Sequence, residues 1–223
     1  TVRDLEFTSS YTNRFTNTAG SFPPDILLAD GVISFAPNVK IINNIVHDLG
    51  SGVNSWVAAS NNEIYGNIIF NNGHLGPDRG HGHGVYMQNQ GQPKYITDNI
   101  IFDQFGLGMQ IYGTSSAVID NFVIEGNISF NNGNAAGEKS RNILVGGGAV
   151  ANNPILRRNY TYYDTFDANK GDNNIGYYNS GAGCTNLVLE GNYFVSGAQA
   201  MTLFRCTVNS FSGNTFFGDL RNW

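Results

Sequence analysis

The sequence predicts an all-β protein, a parallel β-helix of about eight coils. Three observations predict it: a repeated Asn-centred segment, a second series of strand-like segments between the repeats, and a composition suited to short strands and tight turns. The 223 residues include 28 glycines, 11 tyrosines and 15 phenylalanines. Glycine suits turns, and aromatic residues suit strands. Because no linker-like segment divides residues 1–223, we expect a single domain, which could be part of a longer chain.

The repeat consists of an apolar residue, an Asn three positions later and an alternating apolar tail, as in EIYGNIIF (63–70) and YITDNIIF (95–102). The eight anchor positions are Asp4, Asn44, Asn67, Asn99, Asn127, Asn159, Asn192 and Asn214, separated by 40, 23, 32, 28, 32, 33 and 22 residues. A minimum near 22 residues indicates coils with loop insertions, whereas a β-propeller blade needs about 40–50 residues. Stacked Asn amides can hydrogen-bond to the backbone and to one another, so we expect a structural ladder.

The second series of strands places side chains alternately inside and outside the predicted helix. Aligned with one another, these strands put Val85, Met109, Ile143, Ile175 and Met201 in one inward column. The neighbouring outward columns contain Tyr86, Gln110, Leu144, Gly176 and Thr202, and then Gln88, Tyr112, Gly146, Tyr178 and Phe204. The rings and amides of these outward columns form a patch that suits a sugar chain, because rings stack on C–H faces and amides hydrogen-bond to hydroxyls.

The two cysteines have the same register relative to the repeat. Cys184 lies eight residues before Asn192, and Cys206 lies eight residues before Asn214. Strands on adjacent coils are about 4.8 Å apart, within the Cα separation of about 4.4–6.8 Å that a disulfide accepts. Both a disulfide and a pair of stacked thiols fit this spacing. A disulfide would favour an exported protein.

The stretch GPDRGHGHGVYMQNQ (76–90) brings Asp78, Arg79, His81 and His83 together among glycines. It begins inside an insertion at 71–82 and runs on into the next strand, and two more insertions, at 131–140 and 164–172, are predicted at the same corner of the coils. Stacked coils would bring these loops to one side of an exposed sheet face, where loops commonly carry binding residues. Glycines on either side of His81 and His83 would let both imidazoles point into the groove.

Several roles are open for this cluster. A histidine could act as the base, and Arg79 as the cationic group, in β-elimination on a uronic acid. Alternatively, the His-x-His pair could bind a transition metal together with His74 or Asp78. A carboxylate pair, Asp78 with Glu138 or Asp164, could hydrolyse a glycosidic bond. A structural turn is the remaining alternative.

The elimination hypothesis makes His81, His83 and Arg79 the expected catalytic residues. The expected substrate-binding residues are Asp78, Tyr86, Gln88, Gln110, Tyr112, Lys139, Arg141 and Tyr178. No metal ligand is assigned and the cofactor is unknown, although Ca²⁺ could neutralise a substrate carboxylate.

Charge and hydropathy limit the partners. The formal net charge is −5 and no Lys/Arg cluster is present, which argues against nucleic acid as a partner. No run of 18 apolar residues occurs, so no membrane span is expected.

The Asn-anchored coils and the stretch IYGNIIFNNGHLGPDRGHGHGVYMQNQ together resemble the bacterial right-handed parallel β-helix repeat proteins of the pectate-lyase-like group. The resemblance covers nearly the whole chain. It implies a right-handed helix, an extracellular or periplasmic location, and polysaccharide as the ligand. The Asp cluster with which pectate lyases bind Ca²⁺ has no match here, so no catalytic residue is carried over.

The expected function is therefore a polysaccharide lyase that cleaves an acidic, uronate-containing glycan. The alternatives are a non-catalytic module, for glycan binding or surface assembly, and a glycoside hydrolase. Open coil ends would expose unpaired backbone, so either the chain is part of a longer protein or its ends pair with neighbouring molecules in self-association.

Overall fold

The structure is a computed structural model that describes residues 1–137, 140–163, 173–177 and 181–222. In chain order the strands are β1 (Val2–Arg3), β2 (Glu6–Phe7), β3 (Val32–Ser34), β4 (Lys40–Ile42), β5 (Ile45–His47), β6 (Val53–Ser55), β7 (Glu63–Tyr65), β8 (Ile68–Phe70), β9 (His74–Leu75), β10 (Gly80–His81), β11 (Val85–Met87), β12 (Lys94–Thr97), β13 (Ile100–Phe102), β14 (Met109–Ile111), β15 (Ile119–Asp120), β16 (Phe122–Glu125), β17 (Ile128–Phe130), β18 (Ile143–Val145), β19 (Ala151–Asn152), β20 (Ile155–Arg157), β21 (Tyr160–Tyr162), β22 (Asn173–Ile175), β23 (Cys184–Glu190), β24 (Tyr193–Leu203), β25 (Cys206–Ser212) and β26 (Thr215–Asn222). One short 3₁₀ helix spans Asn134–Ala136. The described part of the chain has no helix of the length and apolar character needed to cross a membrane.

Most strands stack in parallel on three faces, as the repeat predicts, whereas β9 and β10 form an antiparallel hairpin and β15 and β19 form a short parallel stack with the start of β23. Face A contains β1, β4, β7, β12, β16, β20, β23 and β25; face B contains β2, β5, β8, β13, β17 and β21; and face C contains β3, β6, β11, β14, β18 and β22. In the last coils β24 and β26 run through from face B to face C, which joins the two faces in one sheet. The chain passes the corner between faces A and B eight times, so the parallel β-helix of about eight coils is confirmed.

The core consists of inward columns that pair in register from coil to coil. On face A the column is fully buried, and its members are Ile41, Ile64, Ile96, Ile124, Leu156 and Leu189. Successive side chains of a strand point to opposite sides of the sheet, and these residues occupy the same inward position of their strands. Burial of each such side chain stabilises the fold by roughly 1.5–3 kcal/mol.

The corner between faces A and B is two residues long. Its first residue has a left-handed conformation, as in Asn43 (φ 53°), Gly66 (φ 66°) and Asp98 (φ 55°), which Gly, Asn and Asp tolerate best. Its second residue is the buried Asn of the ladder. Asn67 donates to Asn99 Oδ1 from both its backbone N–H and its Nδ2, each at 2.9 Å, and the same pattern continues to Asn214. The Asn ladder is confirmed.

The first anchor of the ladder was predicted one residue too early. Asp4 is the left-handed residue of its corner and accepts a hydrogen bond from Asn43 Nδ2 at 2.7 Å. Leu5 occupies the ladder position, and its N–H donates to Asn44 Oδ1 at 3.2 Å. The error arose because both corner positions accept polar residues, and Asp4 is the one polar residue at this corner.

Aromatic rings stack along the outer side of face B. His47, Phe70, Phe102, Phe130 and Tyr162 form a continuous column whose ring centroids are 4.7, 5.1, 4.9 and 4.8 Å apart. These distances match the spacing between parallel strands. The column is therefore a consequence of the repeat placing an aromatic residue at one position of each coil.

Cys184 and Cys206 form a disulfide, and their Cα atoms are 4.4 Å apart on adjacent, paired strands. The spacing relative to the Asn anchors had placed the two cysteines one above the other, and the structure confirms that register. Of the two alternatives left open by the sequence, the disulfide is the one observed.

The predicted alignment of face C is correct for four strands, β11, β14, β18 and β24 with Met201, and wrong for β22. Val85, Met109 and Ile143 pair as predicted, but Asn173 pairs with Met201, and Ile175 lies in the Met87 column. The error is two residues, which preserves the inward and outward sides of the strand. It arose because an inward apolar residue was assumed, whereas Asn173 is buried there and donates to Thr161 Oγ1 at 2.7 Å.

Candidate functional site

A cleft of about 300 Å³ opens on the outward side of face C, at the early coils. The residues that line this face C cleft are Ser21, Phe22, Asp30, Gly50, Ser51, Asn54, Trp56, Gly82, His83 and Tyr86. Strands β6 and β11 supply Asn54 and Tyr86 from one outward column. The segment 8–31, which connects β2 to β3, supplies the opposite wall. The volume lies at the lower end of the range for ligand pockets, about 300–1,000 Å³.

A buried arginine holds the 8–31 segment against the coils. Arg14 donates to the carbonyl oxygens of Gly73 at 2.8 Å and Leu49 at 3.3 Å, and it pairs with Asp48 at 2.9 Å. The backbone of the segment then bonds to β9, because Leu75 N–H donates to the Arg14 carbonyl at 2.8 Å. The wall of the cleft therefore rests on the scaffold through several directed contacts.

The cleft is rich in aromatic rings. Trp56 and Tyr86 meet edge to face with centroids 5.4 Å apart, and His83 meets Tyr86 in the same way at 5.6 Å. Phe22, which lines the cleft, is 91% exposed, and Phe35, whose ring centroid lies 6.3 Å from that of Trp56, is 70% exposed. Large exposed aromatic side chains gathered at one place commonly mark a binding site.

A buried lysine fixes the backbone behind these rings. Lys94 is fully buried, and its Nζ lies 2.6 Å from the Gln88 carbonyl, 3.1 Å from the Trp56 carbonyl and 2.8 Å from Ser55 Oγ. Burial lowers the pKa of Lys94 to about 7, whereas these oxygen acceptors favour the ammonium form. The contacts connect the ends of β6 and β11; Trp56 directly follows β6, and Tyr86 is the middle residue of β11.

A polar network forms the other side of the cleft. Asn54 Nδ2 donates to Asp30 Oδ2 at 3.0 Å, and Ser51 Oγ donates to Asn54 Oδ1 at 2.9 Å. Burial raises the pKa of Asp30, and the hydrogen bond from Asn54 opposes this effect. Asp30 is thus a partly buried carboxyl group beside the rings.

His83 lines the cleft as predicted, but its ring cannot serve as the base through Nε2. The Leu107 N–H donates to His83 Nδ1 at 3.1 Å, so Nδ1 is the acceptor and the neutral ring carries its proton on Nε2. Although part of the ring surface reaches the cleft, the protein packed around it lowers the pKa of His83 to about 3, with further lowering by the charges of Arg79 and His81. His83 therefore presents a neutral N–H donor.

His81 does not line the cleft. Its side chain is 1% exposed, stacks on His74 with centroids 4.9 Å apart, and places Nε2 3.0 Å from Asp78 Oδ1. The two histidines diverge because Gly82, between them, has φ 88° and interrupts the strand. They do not form a His-x-His metal site, and the described residues contain no group of three His, Cys, Asp or Glu side chains that could hold a metal ion.

Arg79 and Asp78 lie at the tip of the β9–β10 hairpin rather than in the cleft. Both are exposed, with Arg79 Nε 3.9 Å from Asp78 Oδ2. The hydrogen bond from His81 lowers the pKa of Asp78 to about 2. Among the predicted carboxylate partners of Asp78, Glu138 and Asp164 fall outside the described residues.

The remaining predicted binding residues follow the cleft along face C. Gln88 is buried and Gln110 is half-buried, with its Oε1 free of partners in the described ranges. Tyr112 packs edge to face against Tyr177 at 5.4 Å, and Arg141 is half-buried at the next coil. Lys139 and Tyr178 lie outside the described residues.

The predicted outward patch is shorter than expected. Leu144, Asn174 and Thr202 continue the outward column beyond Gln110, but they are 3%, 1% and 0% exposed. The accessible part of face C is therefore its early coils, where the cleft lies.

Sequence reasoning missed the 8–31 segment with Ser21, Phe22 and Asp30, and it did not single out Trp56 or Asn54. One signal was present, because the first anchor interval, 40 residues, is the longest in the chain. An interval that exceeds the minimum by so much indicates an insertion, and insertions at this corner were already expected to carry binding residues.

Comparison of the chain with protein-family models, with curated proteins and with solved structures found no match. The resemblance to pectate-lyase-like proteins stays a prediction, and the function must be argued from the site.

Proposed function

We propose that the protein binds a polysaccharide in the face C cleft and acts outside the cytoplasm, in an extracellular or periplasmic setting. The observation that carries this proposal is the combination, in one cleft, of the Trp56 and Tyr86 rings with the Asp30–Asn54–Ser51 network. The disulfide between Cys184 and Cys206 favours an exported protein.

Both halves of this combination match the chemistry of a sugar. The rings of Trp56 and Tyr86 offer apolar surface for C–H faces, and Asp30 and Asn54 offer acceptors and donors for hydroxyl groups. His83 adds a neutral donor that keeps the same protonation state at ordinary pH. Because β6 and β11 position these groups, the site is largely pre-formed, which lowers the ordering cost of binding.

The test is isothermal titration calorimetry with a panel of neutral and uronate-containing oligosaccharides. For the oligosaccharide that binds best, Trp56→Ala should cost about 2 kcal/mol, or roughly 30-fold in Kd, as for a buried aromatic anchor. Tyr65→Ala is the matched control, because Tyr65 is an aromatic residue 42% exposed on face A. Equal affinity of Trp56→Ala and the wild type would refute the assignment of the cleft.

Elimination on a uronate glycan is the second candidate function, and the raised pKa of Asp30 favours it. A carboxyl group with a raised pKa is a better base for abstracting the C5 proton, while His83 Nε2–H could stabilise the charge that develops on the substrate carboxylate. The bond from C4 to the leaving oxygen would then break as the C4–C5 double bond forms. In this mechanism the base is Asp30, whereas the sequence predicted His81 and His83 as the catalytic residues.

The expected result for elimination is ultraviolet absorbance from unsaturated products of a uronate polymer, with or without Ca²⁺, and its loss in Asp30→Asn. New reducing ends without that absorbance would instead indicate a hydrolase. Binding without either product would leave a non-catalytic glycan-binding module. Self-association through the coil ends is a separate proposal, which light scattering over a range of protein concentrations tests directly.

A further inference from the structure

Three side chains beside the face C cleft are connected in series. Ser21 Oγ lies 3.3 Å from His81 Nδ1, and His81 Nε2 lies 3.0 Å from Asp78 Oδ1. We propose that Ser21, His81 and Asp78 form a hydrolytic triad that removes a small acyl group, such as acetyl, from an ester on the bound glycan. The glycan part of this proposal rests on the proposed function.

The polarity of the series suits a nucleophile and a base. Asp78, as a carboxylate, accepts a hydrogen bond from the protonated Nε2 of His81, which leaves the lone pair of Nδ1 directed at Ser21 Oγ. In the well-known serine protease triad the two nitrogens have the opposite assignment. Either ring nitrogen can accept the proton of a serine when the other is held by a carboxylate.

The base is held in one orientation. The His81 side chain is 1% exposed, and its ring stacks on His74 with an interplanar angle of 14°. The Gly20 N–H also donates to Asp78 Oδ1 at 3.4 Å, which ties the residue before Ser21 to the carboxylate. A fixed base beside an exposed hydroxyl is the arrangement that activates a serine.

Ser21 is exposed and lies between two spaces of different size and character. One is the face C cleft, and the other is a smaller pocket of about 110 Å³. Half of the residues that line the smaller pocket are apolar, namely Phe22, Pro23, Ile26 and Leu28; the others are Ser21, Asp30, Gly50 and His74. At roughly 30 Å³ per water, this pocket equals three to four water molecules, which suits a short acyl group and excludes a long one.

Polar groups close to Ser21 are the candidates to stabilise the oxyanion of the reacting ester. The backbone N–H groups of Ser21 and Phe22 have no acceptor within the described ranges of the chain. The N–H of the nucleophile itself is a common donor to the oxyanion in acyl transfer. His74 Nε2, which is buried in the small pocket without a partner among the described residues, is a further polar atom at this place.

The reaction balances without a cofactor. Ser21 Oγ attacks the ester carbonyl carbon and gives its proton to His81 Nδ1. The tetrahedral intermediate collapses, the bond from the carbonyl carbon to the sugar oxygen breaks, and His81 returns the proton to that oxygen. Water then attacks the acyl-serine, transfers a proton to His81, and releases the carboxylic acid and the free serine as the proton returns to Ser21 Oγ.

A purely structural role would use the same contacts, because they also tie the 8–31 segment to the β9–β10 hairpin. The two roles differ in reactivity. A structural clamp requires no nucleophilic serine, whereas a triad requires one that reacts covalently with acyl and phosphonyl electrophiles.

The first experiment treats the full chain with a fluorophosphonate probe and maps the adduct by peptide mass spectrometry. The second measures the hydrolysis of 4-nitrophenyl acetate and the release of acetate from an O-acetylated polysaccharide. We expect the adduct on Ser21, and we expect Ser21→Ala and Asp78→Asn to lower turnover by at least about 100-fold, as removal of triad members does elsewhere. Ser10→Ala, an exposed serine of the same segment, is the matched control and should retain wild-type turnover.

A variant that keeps a nucleophile guards against loss of folding in Ser21→Ala. The thiol of Ser21→Cys should be alkylated by iodoacetamide at least about 10-fold faster than that of Ser10→Cys, because an adjacent histidine favours the thiolate. Absence of an adduct on Ser21 in the wild-type chain, together with equal alkylation rates of the two cysteine variants, would overturn the triad.

The design separates the triad from glycan binding. Calorimetry with the de-O-acetylated polysaccharide reports on the cleft, and 4-nitrophenyl acetate reports on Ser21 without a glycan. Loss of glycan binding with retained ester hydrolysis at Ser21 would refute the proposed function and the glycan part of the inference but support the nucleophile. Retained glycan binding without an adduct or acetate release would refute the inference alone.

Discussion

The Asn ladder gives the sharpest prediction about stability, at its interior member Asn99. Asn99 Nδ2 donates to the carbonyl oxygens of Ile64 and Thr97 and to Asn127 Oδ1, at 2.9, 3.0 and 3.0 Å. Its Oδ1 accepts from both the N–H and the Nδ2 of Asn67, each at 2.9 Å. Replacement by alanine removes all five hydrogen bonds at once in a fully buried position.

The loss can be estimated from what remains paired. The Thr97 carbonyl keeps the Gly66 N–H, and Asn127 Oδ1 keeps the Asn99 N–H, whereas the Asn67 N–H loses its acceptor. Leaving the buried Asn67 N–H without an acceptor costs about 1–3 kcal/mol. The loss of two or three further hydrogen bonds of the Asn99 side chain costs about 1 kcal/mol each. We therefore expect Asn99→Ala to lower the free energy of unfolding by about 3–6 kcal/mol.

Urea unfolding followed by circular dichroism measures this change. The matched control is Asn214→Ala at the last position of the ladder, where the side chain is only half-buried. It makes three hydrogen bonds, to Asn192 and to the Leu189 carbonyl, and water can replace them, so we expect a loss of about 1 kcal/mol. Equal losses in the two variants would refute the account of the ladder as a buried network.

Two further predictions concern the disulfide and His83. The disulfide closes a separation of 22 residues, so replacing Cys184 and Cys206 together by alanine should lower the free energy of unfolding by about 3 kcal/mol; unchanged stability in urea would contradict this. The folded pKa of His83 is lowered from 6.5 to about 3, so the unfolded chain binds a proton that the folded chain does not, and stability should fall as the pH decreases from 6.5 towards 3. His83→Gln should make the dependence of stability on pH shallower between pH about 6.5 and 4. Part of the dependence should remain in this variant, because burial also lowers the pKa of His74. If the stability of His83→Gln and of the wild type depended on pH in the same way, the His83 ring would be taking up its proton in the folded state over this pH range, which would contradict the prediction.

The repeated parts of the fold were predictable because each coil imposes the same constraint. The Asn anchors, the inward apolar columns and the cysteine register all follow from alternation within a strand and from stacking between coils. Prediction failed where a coil departs from the common rule. Leu5 replaces an anchor Asn, and Asn173 occupies an inward position that the pattern reserves for apolar residues.

The site was predicted only in part because it depends on contacts between segments far apart in sequence. Tyr86 and His83 were placed correctly, since strand β11 determines their side. The position of His81 was not predictable from alternation, because Gly82 turns the chain between the two histidines. The 8–31 segment contains no repeat from which its position could be predicted. Its position depends on the hydrogen bonds of the buried Arg14 to the carbonyl oxygens of Leu49 and Gly73.

Binding of a polysaccharide in the face C cleft can be observed in a crystal structure of the protein with the oligosaccharide that binds best in calorimetry. We expect a sugar ring against Trp56 and Tyr86, with hydroxyl groups within hydrogen-bond distance of Asp30 and Asn54. A sugar bound elsewhere, for example along the aromatic column of face B, with the cleft empty, would contradict it.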